Sequence, residues 1–279
     1  MWVPFPRFIL GPNEAPGIDS PCGSLARLAK SGNVKYKQLA QLAFATGMIG
    51  LGVVGLIHGD FAQLWKFAPA FVPGRQMIAY ACAVLMLVCG IGLLFKRTEA
   101  LAARILFPYW ALLVLALKLP VVLKHPLVEV TYQSMSEIVV VMTGAWVLFA
   151  ANDKRALRIA QLVFGLALIP LGLAHFFYLN VTAPLIPSWI PFHTFWAYFT
   201  GAAQIAAGIG VLLGILPKLA ASLDAALLAV FTFVVWIPGI IAPTTPRATW
   251  AEFTISWAVT AAAWVVATSF PKKDSATAN

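Results

Sequence analysis

The chain has 279 residues, of which 61% are hydrophobic and only 10% are charged. Soluble domains contain about 25% charged residues, so this composition excludes a soluble enzyme and indicates an integral membrane protein. The formal net charge is +9, but no basic stripe with interleaved aromatic residues is present, and we therefore expect no nucleic-acid partner.

In chain order, residues 1–37 are rich in proline and glycine and lack the apolar core of a cleavable signal, which predicts a cytoplasmic N-terminal arm. Charge-poor stretches of about 20 residues follow, the length that an α-helix needs to cross a bilayer core of ~30 Å. Each is predicted to be helical, because an unpaired backbone amide is costly in lipid. The eight predicted spans are 39–57, 77–95, 105–123, 133–151, 159–178, 195–214, 219–241 and 250–270, before a tail of residues 272–279.

Lysine and arginine are distributed unequally between the two sides. With the N-terminus inside, fourteen lie in inner segments and four in outer segments. This positive-inside bias predicts that both termini are cytoplasmic, in a bacterial inner membrane whose anionic lipids attract the basic face. The four outer residues are Lys66, Arg75, Lys124 and Arg247.

The sequence also repeats itself. Gly55-Leu-Ile-His58 and Gly172-Leu-Ala-His175 are each followed by an apolar, proline-containing loop and a helix with a Gly-Ile-Gly motif. This predicts two four-helix units in the same orientation, residues 38–152 and 153–271, with both histidines at the outer face. When the units are aligned from Gln41 and Gln161, however, the two histidines differ in register by three residues.

These residues resemble the DoxX family of four-helix membrane proteins. The second half is the closer match, from Ile186-Pro-Ser-Trp-Ile-Pro191 to the helix Tyr198–Gly214, and the first half resembles the family between residues 55 and 103. The resemblance implies an all-α polytopic fold and association with thiosulfate:quinone oxidoreductase or other membrane redox assemblies. Where the family often has a glutamate in its second helix, this chain has Gln204 and Met86.

Five residues are candidates for a ligand site near the outer leaflet. Two interpretations of the histidines stay open: each satisfies a carbonyl or water at a helix end, or each binds haem, a metal ion or a quinone carbonyl. The candidates are His58 and His175, which are also the candidate metal ligands, the loop residues Trp65 and Trp189, and Gln204.

Four ionisable residues within the spans are candidates for a proton or ion pathway, because charge at membrane depth is costly. Glu137 and Glu252 begin the fourth and eighth spans at roughly equivalent positions. Lys118 and Asp224 lie deeper, and extension of each side chain to the interface is the alternative.

The leading functional hypothesis is a membrane subunit of a redox assembly that holds a quinone, a haem or another apolar partner. Its partners are then the bilayer and other redox subunits, and it is at most a non-autonomous subunit of a membrane oxidoreductase. Two alternatives stay open. One is a carrier for a small apolar or weakly acidic solute, and the other is a scaffold without a site of its own.

Overall fold

A computed structural model describes residues 21–59, 74–151, 153–242 and 247–271. The chain divides into two compact units, Met1–Tyr36 and Lys37–Asn279. The described residues contain eight long apolar helices, named α1 to α8 here: Val34–His58, Arg75–Gly92, Glu99–Lys124, Glu129–Ala150, Lys154–Phe177, His193–Leu213, Pro217–Ile240 and Ala248–Ser269.

Within these described ranges the regular secondary structure is all helical, with no strand. The eight helices are 18 to 26 residues long and apolar enough to cross a bilayer. The prediction of an all-α polytopic membrane protein is confirmed. The helical part of the predicted N-terminal arm begins at Pro21 and continues directly into α1.

The centre of the bundle is formed by α4 and α8. In these helices 61% and 72% of the membrane-spanning residues are buried, against 28–33% in α2, α3, α6 and α7. A Cβ atom on Gly144 of α4 would lie 2.8 Å from the Cα atom of Ala262 in α8, so the two backbones touch. Small residues permit this close approach, which is how helices associate in lipid.

The two halves of the chain make matching helix contacts. A Cβ atom on Gly92 would lie 3.2 Å from the Cβ atom of Ala102, and one on Gly210 would lie 3.2 Å from that of Ala220. The offset along the chain is the same for both residues, 118 positions (210 − 92 and 220 − 102). Gly144 and Ala262, which meet at the centre, are separated by the same offset (262 − 144).

Glycines also set how α1 packs on α2 and how α5 packs on α6. A Cβ atom on Gly52 would lie 2.8 Å from the backbone nitrogen of Leu87, and one on Gly172 would lie 3.1 Å from that of Ile205. Gly52 and Gly172 therefore occupy the same place in the two helix pairs, an alignment in which Gln41 matches Gln161.

This packing register separates the two histidines. With Gly52 matched to Gly172, His175 corresponds to Gly55, and His58 corresponds to Tyr178. The structure therefore has the same three-residue difference in register that the sequence shows. The packing glycines occupy equivalent positions in the two halves, and the histidines do not. Glu252 likewise corresponds to Ser134, one turn before Glu137, so the two glutamates are not strictly equivalent.

Helices α3 and α7 each contain a π-helical turn, Val114–Lys118 and Thr232–Trp236. Pro120 and Pro238 follow two residues after these turns. Proline cannot donate the regular helical hydrogen bond and clashes with the carbonyl of the preceding turn, so the helix widens there. The two π turns are separated by the same offset as the other matching positions.

Candidate functional site

A cavity of ≈110 Å³ is lined by α5 to α8 of the second half and by α4 of the first half. It is at the end where α4, α6 and α8 begin and where α5 and α7 end. Four of the predicted residues line it together: Glu137, His175, Gln204 and Glu252. The cavity thus joins residues that sequence reasoning had divided between a ligand site and a proton pathway.

Much of the polar lining comes in pairs one helical turn apart, on α4, α6 and α8. Residues at i and i+4 lie on one face of a helix, so both members of such a pair reach the cavity. Four polar lining residues were not predicted from the sequence. Each lies four positions from a predicted residue or from another lining residue, and this spacing could have indicated them. They are Gln133, Thr200, Thr232 and Ser256.

The tautomer of His175 follows from its hydrogen bond. Its Nδ1 atom lies 3.1 Å from the carbonyl oxygen of Leu171, one turn earlier in α5. A carbonyl only accepts, so Nδ1 carries the hydrogen, and Nε2 of the neutral ring is an acceptor. The imidazole therefore offers one acceptor nitrogen beyond its bond to the backbone.

The amide and carboxylate side chains provide further acceptors. Gln133 donates from Nε2 to Oε1 of Glu137 at 3.1 Å. Gln204 is only 3% exposed, and its amide oxygen has no hydrogen-bond partner among the residues that the structure describes. A buried polar atom without a partner costs about 1–3 kcal/mol, so this oxygen is a natural contact for a ligand donor.

Hydroxyl groups complete the wall formed by α7 and α8. Trp236 donates from its indole nitrogen to Oγ of Ser256 at 2.9 Å, and the serine hydroxyl retains a hydrogen to donate. Thr232 donates to the carbonyl oxygen of Leu228 at 2.8 Å and lies 2.9 Å from the hydroxyl of Thr260. The indole that orients Ser256 comes from the π turn of α7.

The corresponding space in the first half is filled by larger or apolar side chains. Met86 stands where the second half has Gln204, and Trp110 stands where it has Leu228. Both are fully buried, at 1% and 0% exposure. Gly55 replaces His175, so the first half lacks both the volume and the polar groups of this site.

The remaining predicted residues lie elsewhere. Lys118 is buried and donates to Oγ of Ser134 at 2.6 Å, so it does not extend to the interface. His58 is the last residue of α1 and does not line the cavity. Trp189 is 71% exposed in the loop before α6. Trp65 lies outside the described residues.

Asp224 is 2% exposed, and neither carboxylate oxygen has a hydrogen-bond partner within the described ranges. It lines a separate groove of ≈630 Å³ between α6 and α7, whose other lining residues are all apolar. The first half has the fully buried Leu106 at the corresponding position.

The residues of the cavity do not fit a haem or a metal centre. No group of three His, Cys, Asp or Glu side chains that could hold a metal ion occurs in the described part of the chain. The cavity is smaller than the ~150 Å³ cavity that accommodates benzene, so a haem macrocycle is far too large. A single ring fits only if it also occupies part of an adjoining cavity of ≈240 Å³, which shares the lining residues Thr200, Leu227 and Phe231.

A second cavity, of ≈290 Å³, lies at the opposite end of the bundle, where α1, α3 and α5 begin. Gln41 there donates to the carbonyl oxygen of Leu93 and to Oε2 of Glu99, both at 2.9 Å. Both cavities are lined by α4, α5 and α8. Along α8 their nearest lining residues, Val259 and Val265, are six positions apart, about 9 Å of helix.

Comparisons with family models, curated proteins and solved structures found no match to this chain.

Proposed function

We propose that the chain is a DoxX-like membrane subunit of a redox assembly, built from two four-helix units, and that a site formed by the second unit and α4 of the first binds the ring of a quinone. The observation that supports this is the cavity where two carboxylates, an imidazole and an amide meet within the membrane-spanning helices. Ionisable groups inside the bilayer are costly, so their convergence favours a functional role.

The lining suits both redox forms of such a ligand. A quinone carbonyl only accepts hydrogen bonds, and the hydroxyls of Thr200 and Ser256 can donate them. A quinol hydroxyl donates, and Nε2 of His175 and the oxygen of Gln204 accept. Reduction of a quinone consumes two electrons and two protons; in this proposal a partner redox subunit supplies the electrons.

The carboxyl groups of Glu137 and Glu252 would exchange the protons of that reaction with the neighbouring aqueous face. We propose that this face is the outer one and that both termini are cytoplasmic, in a bacterial inner membrane. The distribution of lysine and arginine supports this orientation. A reporter enzyme fused after residue 279 tests this orientation. Activity of a reporter that functions only outside the cytoplasm would contradict it.

Ligand binding is tested with purified protein in nanodiscs, by quenching of tryptophan fluorescence on titration with a quinone. The variant Gln204→Met introduces the residue that the first half has at this position and should therefore fold. We expect it to raise the Kd for the quinone at least tenfold, because methionine has a similar size but lacks the amide oxygen that accepts a hydrogen bond from the ligand.

His58→Ala is the matched control, since His58 does not line the cavity, and it should leave the Kd within twofold. Quinone binding that Gln204→Met and His175→Ala leave unchanged would contradict the proposed site. No saturable binding to the unmodified protein would contradict the proposed function itself.

The second cavity favours one other candidate function, a carrier for a small weakly acidic solute. Cavities at opposite ends of the same helices, about 9 Å apart along α8, are what a transport path requires. Uptake of a radiolabelled weak acid into proteoliposomes tests this. Uptake equal to that of empty liposomes counts against it.

A further inference from the structure

The polar cavity continues sideways into the lipid-facing surface. Thr200, Leu227 and Phe231 line both this cavity and an adjacent one of ≈240 Å³. All three lie where α6 faces α7, so the opening is a gap between these two helices. Of the three residues at this opening, Thr200 is polar and the other two are apolar.

The adjacent cavity opens in turn into the long groove between α6 and α7. Phe199, Leu227 and Val230 line both. Leu227 therefore lines all three spaces, from the polar interior to the lipid-facing groove. Phe199 and Val230 are 47% and 59% exposed, so the groove faces the hydrocarbon region of the membrane.

The groove is long and lined almost entirely by carbon. It extends along α6 from Phe199 to Gly210 and along α7 from Leu219 to Val230. Eleven residue steps along a helix correspond to about 16 Å. Asp224 is its one polar lining residue. Such a shape accommodates an extended hydrocarbon chain better than a compact solute.

The loop before α6 lines the water-facing side of the intermediate cavity through Ile186, Pro187 and Ile190. His193, the first residue of α6, lies with Nε2 3.1 Å from the carbonyl oxygen of Pro187. The carbonyl can only accept, so the imidazole donates and fastens the loop to the helix. The direct approach from water is thus narrowed by apolar residues.

We infer that the ligand is a quinone with an isoprenoid tail, that its ring passes between α6 and α7 into the cavity, and that its tail stays in the groove. This rests on the proposed function and adds the ligand class and the access route. The first half shows the contrast: Tyr109 stands at the position of Leu227, beside the buried Trp110.

A quinone with a photoreactive diazirine on its tail tests the placement of the tail. After illumination in nanodiscs, mass spectrometry should find label on residues of the groove, such as Ala206 and Leu223. An excess of the same quinone ring without a tail should remove at least 80% of that label, because the ring holds the tail in place. Gln204→Met should reduce the label to a similar extent.

Access is tested by Leu227→Tyr, which introduces the residue of the first half at the junction. In stopped-flow fluorescence it should slow binding of the tailed quinone at least tenfold. Leu166→Tyr, at a site on α5 that is 61% exposed and lines none of the three spaces, is the control. If Leu227→Tyr does not fold, Ala206→Leu provides the second variant, and it should weaken tailed but not tail-less quinones.

Groove label that the tail-less ring does not displace overturns the inference, since ordinary lipid contact explains it. Equal binding rates for Leu227→Tyr and Leu166→Tyr also overturn it. In both cases saturable ring binding that Gln204→Met weakens leaves the proposed function intact. Absence of any ring binding to the unmodified protein overturns both.

Discussion

Replacing Gly172 with alanine should separate α5 from α6 and disturb the cavity. A Cβ atom at this position would lie 2.5 Å from the carbonyl oxygen of Gly201 and 2.7 Å from Cγ1 of Ile205. The contact is reciprocal, since a Cβ atom on Gly201 would lie 2.6 Å from the carbonyl oxygen of Gly172. Neither oxygen can rotate away, because both belong to helix backbone. The helices must therefore move apart.

The expected cost follows from two opposing effects. Inserting a methyl group into a closely packed interior destabilises by about 1–3 kcal/mol. Alanine is preferred to glycine inside a helix by roughly 0.5–1 kcal/mol. The net loss should be about 0.5–2 kcal/mol. His175 lies one turn after Gly172, so quinone binding should weaken together with stability.

Unfolding in mixed micelles, followed by circular dichroism, measures the stability change. Gly92→Ala is the matched control: its Cβ atom would meet the Cβ atom of Ala102 at 3.2 Å and nothing else closer than 3.9 Å. We expect this control to change stability by less than about 0.5 kcal/mol, because a shift of a few tenths of an ångström relieves this single contact and the helix preference of alanine offsets the remaining cost. If Gly172→Ala and Gly92→Ala are equally stable, the argument from close backbone contact is wrong.

Three further substitutions test single features of the bundle. Asp224→Leu introduces the residue of the first half, Leu106, and should stabilise by about 1–3 kcal/mol in the same unfolding assay, because it removes a buried carboxyl group without partners; a loss of stability would contradict this. Ser134→Ala should cost about 1.5–3 kcal/mol, because it removes a hydrogen bond from the Lys118 ammonium, and an unchanged unfolding midpoint would show that the bond contributes little. Gly214→Ala should cost about 1–2 kcal/mol through its φ of +72° alone, since a Cβ atom there meets nothing within 4 Å; a neutral result would refute that cause.

The number and type of the spans could be predicted because a bilayer requires long, uncharged, apolar helices whatever their packing. The ends of the helices were less predictable. The second span was predicted to reach residue 95, but α2 ends at Gly92, where Thr98 donates from its hydroxyl to the Gly92 carbonyl oxygen at 2.7 Å. The third helix begins at Glu99, earlier than predicted, because a helix continues beyond the hydrocarbon core.

The cavity could be predicted only in its separate parts. Glu137, His175, Gln204 and Glu252 were each notable as polar residues in apolar helices, but their meeting depends on how five helices pack. The repeated Gly-x-x-His segment was misleading, because it suggested aligning His58 with His175. The helix packing instead aligns Gly52 with Gly172. Recognising that Met86 and Trp110 fill the first half requires their burial, which periodicity alone does not provide.

In a symmetric dimer, a residue on the twofold axis meets its own copy in the partner. Gly144 and Ala262 meet in this way, although both belong to one chain. In this contact the two halves of the chain meet as the subunits of a symmetric dimer would. In a dimer encoded by one gene, every substitution appears in both subunits, whereas here each half can change independently. The two halves differ in this way: Met86 and Trp110 are buried in the first, whereas the corresponding Gln204 and Leu228 line a cavity.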